Sequence, residues 1–271
     1  MKLAPLFTTI TAAFALGSTA AYATFTTFEA TGANPAAITP TRDAFRLQIG
    51  GGVVAGANGS FGGLRREINW DGVPDVRADA NLLPANFFNT NSPRGAVFST
   101  PGTGFLVSAN AGQPAAPLFG FANDFQTFST QRLFTAIGSN IVDVSFFVPG
   151  TGIASTTSAF GLIFTDVEVA GDTKMEFFSA SNALLYTRDA LVAGNQGLTF
   201  LGASANSGEQ ISRVRITSGK NSILSNGVLA NPTDDVVVMD DFLYAEPAAV
   251  PEPTTALFGL ALFGLAATRR R

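Results

Sequence analysis

Between residues 133 and 244 the chain is built of apolar, β-branched and aromatic runs bounded by glycine, proline, asparagine or serine, with no sustained 3.6-residue period. That pattern predicts strands rather than helices. Residues 141–148 alternate cleanly, with Val142, Val144, Phe146 and Val148 on one face, and end at the turn pair Pro149-Gly150. Residues 160–169 form the next expected strand. Its first half is apolar on both faces, and Asp166 and Glu168 share a side with Phe160, Leu162 and Phe164 if the strand is unbroken. Shorter strands are expected at 174–179, 183–187, 198–203 and 211–217; in the last, Arg213 and Arg215 face out while Val214 and Ile216 face in. Residues 235–244 close the series, with Asp240-Asp241 set into the apolar run. No amphipathic helix of useful length separates these runs, so the expected fold is all-β, an antiparallel β-sandwich of jelly-roll-like form.

The first half is patterned less regularly. Residues 36–63 are rich in glycine, alanine and asparagine around short apolar runs and are expected to be poorly ordered. Residues 94–109 read as a hairpin around Pro101-Gly102-Thr103-Gly104, and 123–134 as a short helix. The domain is expected to span 24–247, with 116–246 its best-defined part.

Both termini carry signals. Lys2, an uncharged apolar core over 3–16 and the small-x-small site Ala21-Tyr22-Ala23 make residues 1–23 a secretory leader, to be removed by signal peptidase on export, leaving Thr24 first. At the other end Pro251-Glu252-Pro253 precedes an uncharged apolar stretch and the block Arg269-Arg270-Arg271. A helix of this kind enters a bilayer and stops with its basic end in the cytoplasm, yet it falls short of the ~20 apolar residues a permanent span needs. The three-part arrangement over 248–271 resembles the PEP-CTERM sorting tail of Gram-negative bacteria, the alternative being an ordinary anchor helix. The resemblance implies an exosortase as processing partner, cleavage near the Pro-Glu-Pro triplet, a transient stay in the inner membrane, and transfer to the cell surface or extracellular matrix.

Setting aside Lys2 and Arg269 to Arg271 from 16 basic residues, and Glu252 from 20 acidic ones, leaves 12 against 19 and a net charge of −7 on the exported segment. Such a surface does not hold nucleic acid, which needs a basic patch to displace counterions. No cysteine is present, so no disulfide supports the fold, and no histidine is present either. Ser-His-Asp and Cys-His catalysis and the usual zinc sites are thereby excluded. A carboxylate-only glycosidase or lyase is the remaining enzymatic alternative, with Asp166, Glu168, Asp240 and Asp241 as its acids.

The same hard oxygens suit calcium. Candidate ligands are Asp71 and Asp75, in the stretch Asn69-Trp70-Asp71-Gly72-Val73-Pro74-Asp75, together with Asp166, Asp240 and Asp241. The stretch departs from a calcium loop in lacking the first acid and the twelfth-position glutamate, and a solvated turn capped by Asp71 is the plainer alternative. Trp70, the single tryptophan, is either a platform for glycan stacking or a core residue. The body, over roughly 65–246, is similar to uncharacterised PEP-CTERM proteins in the stretches Phe160-Gly161-Leu162-Ile163-Phe164-Thr165-Asp166-Val167 and Val236-Val237-Val238-Met239-Asp240-Asp241-Phe242. The second stretch is also similar to the closing strand of galactose-binding and lectin jelly rolls. The expectation is a non-enzymatic, exported, exosortase-processed structural protein of the surface or of an exopolysaccharide biofilm matrix, the alternative being a calcium-dependent glycan-binding module.

Overall fold

The computed structural model describes residues 23–250. The positions of the expected leader before Ala23, Ala21 among them, and the tail positions Pro251, Glu252, Pro253 and Arg269 to Arg271 lie outside the described residues.

Two antiparallel sheets face each other. The first contains β1 (Phe25–Gly32), β2 (Ser60–Phe61), β3 (Arg65–Ile68), β5 (Gly104–Val107), β6 (Phe134–Ile137), β9 (Ala159–Thr165), β12 (Leu198–Ala205) and β14 (Val238–Ala245), in the order β1-β12-β9-β14-β3-β2, with β6 also on β14 and β5 on β6. The second runs β11-β10-β13-β7-β4, from β4 (Ala96–Ser99), β7 (Ile141–Phe146), β10 (Lys174–Phe178), β11 (Leu184–Asp189) and β13 (Arg213–Thr217). A two-stranded piece pairs β8 (Ser155–Thr156) with β15 (Ala248–Ala249) and carries the fold two residues past the expected boundary at 247. The expected antiparallel sandwich is therefore present.

Alternation sorts the core. Val142, Val144 and Phe146 of β7, and Val214 and Ile216 of β13, point between the sheets against Phe160, Leu162 and Phe164 of β9. Arg213 and Arg215, on the other face, both hold Asp143, at 2.7 and 2.8 Å. β9 is buried on both sides because its second face, Ala159 and Ile163, packs with Leu198, Phe200 and Leu243 under a helix.

That helix, α1 (Pro35–Ile49), occupies much of the stretch expected to be poorly ordered. Asn34 caps it by accepting from the Ala37 amide, and Pro35 at the first turn costs nothing because its missing N–H would be unbonded there anyway. Ile38, Arg42 and Phe45 form its buried face at helical spacing. The Phe45 ring lies on the cross-strand pair Gly161–Gly202, where a Cβ on either glycine would come within 3.0 Å of it. Glycine at both positions opens the seat for the ring.

Two further expectations are corrected. Residues 94–109 are not a hairpin: β4 pairs with β7 in one sheet and β5 with β6 in the other, so the Pro101–Gly104 turn carries the chain across a corner of the sandwich. Residues 123–134 are not helical; they run as irregular chain along the first sheet and enter β6 at Phe134.

Candidate metal centre

β9 ends at Thr165, and the strand does not continue through Glu168 as the sequence pattern suggested. Asp166 takes a positive φ of 75° and turns the chain away from the sheet. Val238, at the start of β14, pairs with Thr165. The residues just past one strand end and just before the other, Asp166 and Asp235, therefore meet at one rim. Glu168 joins them, and carboxylate oxygens of Asp166, Glu168 and Asp235 all lie within 4.8 Å of one another. They line a cavity of about 350 Å³ together with Asp124, Asp234 and Phe121.

Hydrogen bonding holds this cluster only in part. Oδ1 of Asp166 accepts from the Gln196 amide at 2.9 Å. Oδ2 of Asp235 accepts long bonds from the amides of Glu168 and Val169, at 3.3 and 3.4 Å. The other Asp235 oxygen, Oδ1, is buried with no partner. Burial, and then the neighbouring charges of Glu168, Asp235 and Asp124, push the Asp166 carboxyl up to about 7 against the single amide bond that opposes them. Asp235 is raised too, by burial and by the charges of Glu168 and Asp172. Lys220, close by in the chain, pairs instead with Asp172 at 3.0 Å.

The donor set suits calcium. Ca²⁺ takes oxygen ligands at roughly 2.3–2.6 Å, so two ligands of one ion stand at most about 5 Å apart, and an ion would give the orphaned Asp235 oxygen its missing partner. Asp166, Glu168 and Asp235 would hold it, with no demand for nitrogen or sulfur.

The other expected ligands are engaged elsewhere. Asp71 accepts from the amides of Gln131 and Arg132, the latter at 3.0 Å, and Asp75 binds the buried Arg132 guanidinium and Gln113. This stretch is a capped turn and not a calcium loop, which corrects the calcium reading of both residues.

Asp240 and Asp241 form a β-bulge. Met239 faces Phe164 and Phe242 faces Leu162, so β14 spends three steps where β9 spends two. Met239 and Phe242 pack between the sheets, Val238 and Leu243 on the opposite face, and the doublet makes up the extra step. Asp240 accepts from the Phe128 amide at 2.6 Å and the Asp241 amide at 2.8 Å, and Ser129 Oγ donates to Asp241 at 2.9 Å. Burial drives both carboxyls up, Asp240 further through the charge of Asp241, and Asp241 to about 6. The doublet stands apart from the rim cluster and is a packing feature, so its calcium reading is corrected as well.

Trp70 is a core residue. It is fully buried, stacks on Phe134 with centroids 4.0 Å apart, and donates Nε1–H to the Asp240 carbonyl at 3.1 Å. A ring enclosed this way has no face for a sugar, which corrects its glycan-binding reading. A second cavity, of about 510 Å³, lies beside α1 with Arg46 and Arg65 in its lining. Both arginines bind Glu67, at 2.6 and 2.7 Å.

Asp235 is the member of the cluster that sequence reasoning missed. The Asp234-Asp235 doublet ahead of the closing strand was the available signal, but only the pairing of β14 with β9 joins it to Asp166.

Among the described residues no helix is long and apolar enough to cross a membrane. Residues 249–271 match the PEP-CTERM protein-sorting motif. No curated protein matches the chain. The motif implies an exosortase-targeted extracellular protein and a membrane-associated sorting step at the C-terminus.

Proposed function

We propose that this β-sandwich is a non-catalytic structural component of the cell surface or of an exopolysaccharide biofilm matrix, delivered there by its sorting tail. The match of residues 249–271 to the sorting motif carries the reading. In this scheme the apolar tail holds the folded domain at the periplasmic face. Pro251-Glu252-Pro253 is the segment at which the exosortase would act. Replacing Glu252 by alanine, or deleting Arg269 to Arg271, is expected to leave an uncut membrane-bound form. An unchanged mature mass in both variants would reject the scheme.

A second reading, calcium-dependent glycan binding, is favoured by the Asp166–Glu168–Asp235 rim with its orphaned oxygen. A cation held there would keep vacant coordination positions toward the cavity, where sugar hydroxyls could complete its shell. Co-sedimentation of the exported protein with the producing organism's exopolysaccharide, in calcium and again in chelator, separates the two readings. Binding lost in chelator and in Asp166→Asn supports the lectin reading; binding indifferent to calcium supports the structural one.

A further inference from the structure

Thr24, the residue that leader removal would make the first, is already docked. Its backbone nitrogen donates to Glu209 Oε1 at 2.7 Å, and its hydroxyl lies 3.0 Å from Ser207 Oγ. The other Glu209 oxygen accepts from the Ser207 amide at 2.8 Å, which aims the carboxylate at Thr24. The Asn206 amide donates to the Thr24 carbonyl at 2.9 Å, and Thr26 Oγ1 donates to the Asn206 side chain at 3.0 Å. Phe25 then enters β1 opposite Ala205, at the edge of the eight-stranded sheet. Burial pushes the Glu209 carboxyl up, but the amides of Thr24, Glu209 itself and Ser207 together hold it below the usual range.

We infer that Glu209 is a receptor for the new amino terminus, a latch that strengthens when the leader is cut. Hydrolysis of the Ala23–Thr24 amide consumes one water, leaves a carboxylate on Ala23 and puts an α-amino group on Thr24 that is mainly protonated at neutral pH. A neutral amide donor facing a carboxylate thereby becomes an ammonium at the same place. A charge-assisted bond is about twice as strong as a neutral one. The latch secures β1, whose outer edge has no neighbouring strand among the described residues, at the moment the chain is released from its leader. Unpaired sheet edges are sites of aggregation, so tying down the start of this strand protects the exported domain.

The inference rests on the export reading, and the experiment separates the two. Protein recovered from the producing cells is expected to begin at Thr24 by intact mass; a different first residue overturns both. In protein that does begin there, the α-amine is expected to react with an acylating reagent about threefold more slowly than in Glu209→Gln, the ratio expected if the carboxylate raises its pKa by roughly half a unit. Equal rates overturn the latch and leave the leader reading standing. A form retaining Tyr22-Ala23 is expected to melt roughly 1–3 °C lower than the form beginning at Thr24, and Glu209→Gln should erase that gap. A gap that survives the substitution assigns the effect to something other than Glu209 and also overturns the latch.

Discussion

Neighbouring strands β9 and β14 carry acids at two places, and those places treat their carboxyls in opposite ways. At the bulge, Asp240 and Asp241 are buried but met by donors from Phe128, Ser129 and the backbone of Asp241 itself. At the rim, Asp166, Glu168 and Asp235 converge with few donors, and one buried oxygen has none. Asp166 is buried like the bulge pair, whereas Asp235 is half-buried and Glu168 exposed. What differs is the neighbouring chain: β14 changes partner from β6 to β3 around the bulge, and the irregular segment ahead of β6 fills the gap with the Phe128 amide and the Ser129 hydroxyl. At the rim only the Gln196 amide makes a bond of ordinary length, to Asp166, while the Glu168 and Val169 amides reach Asp235 at 3.3 and 3.4 Å. Buried carboxylates surrounded by donors are fold elements, and those that face one another across a cavity are the ones fitted for a cation.

The largest expected effect is on the bulge side. Trp70→Ala removes a fully buried indole and the donor to the Asp240 carbonyl, and should cost about 3–5 kcal/mol, seen as a large drop in denaturant midpoint. If the variant instead kept its stability and lost only sugar affinity, Trp70 would belong to a binding site and the contrast would fail. Asp240→Ala is next, at about 1–3 kcal/mol, because it strands the half-buried Phe128 amide. Asp240→Asn keeps an acceptor without the charge and should lose much less; equal losses would mean that the charge, and not the acceptor, matters there.

At the rim, calcium at a hundredfold excess over its Kd should stabilise the protein by about 2.7 kcal/mol, read as a rise in Tm. Asp166→Asn should abolish that rise while slightly raising the Tm in chelator, since it removes a repelled charge. A calcium response that survives in Asp166→Asn would place the ion elsewhere.

The pH dependence is the smallest effect. Folding raises Asp166 to about 7 and Asp241 to about 6 from 3.8, so across that window the folded chain binds more protons than the unfolded one. Stability must then fall as pH rises. Melting in chelator is expected to be roughly 5 °C lower at pH 8 than at pH 5, with calcium closing most of the difference. A Tm that climbs over this range would show that neither site carries raised carboxyls.

Much of the second half was legible because strand alternation is a local property. Val142, Val144 and Phe146 against Asp143, and Val214 and Ile216 against Arg213 and Arg215, could be sorted without knowing any partner. The helix over Pro35–Ile49 was not, because Pro40 interrupts the local signal and its buried face includes Arg42. Its stability comes from the seat that Gly161 and Gly202 open for Phe45, a contact more than 100 residues away in sequence. The short strands Ala96–Ser99 and Gly104–Val107 look alike as text, and only their partners separate them into different sheets. Among the acids, Asp166 and Glu168 stood out by their place at a strand end, whereas Asp235 was hidden by sequence distance.

By itself the sequence determined the address and the class of fold. Sorting motif and strand alternation are each written in contiguous residues, whose physical meaning depends on little beyond their neighbours. Tertiary structure alone decided which acids meet: the register of β14 on β9 sets Asp235 against Asp166, and a one-residue bulge turns Asp240 and Asp241 to donors of their own. Carboxylate chemistry depends on distances of a few ångströms and on the donors within reach. Pairing between remote strands is what sets both.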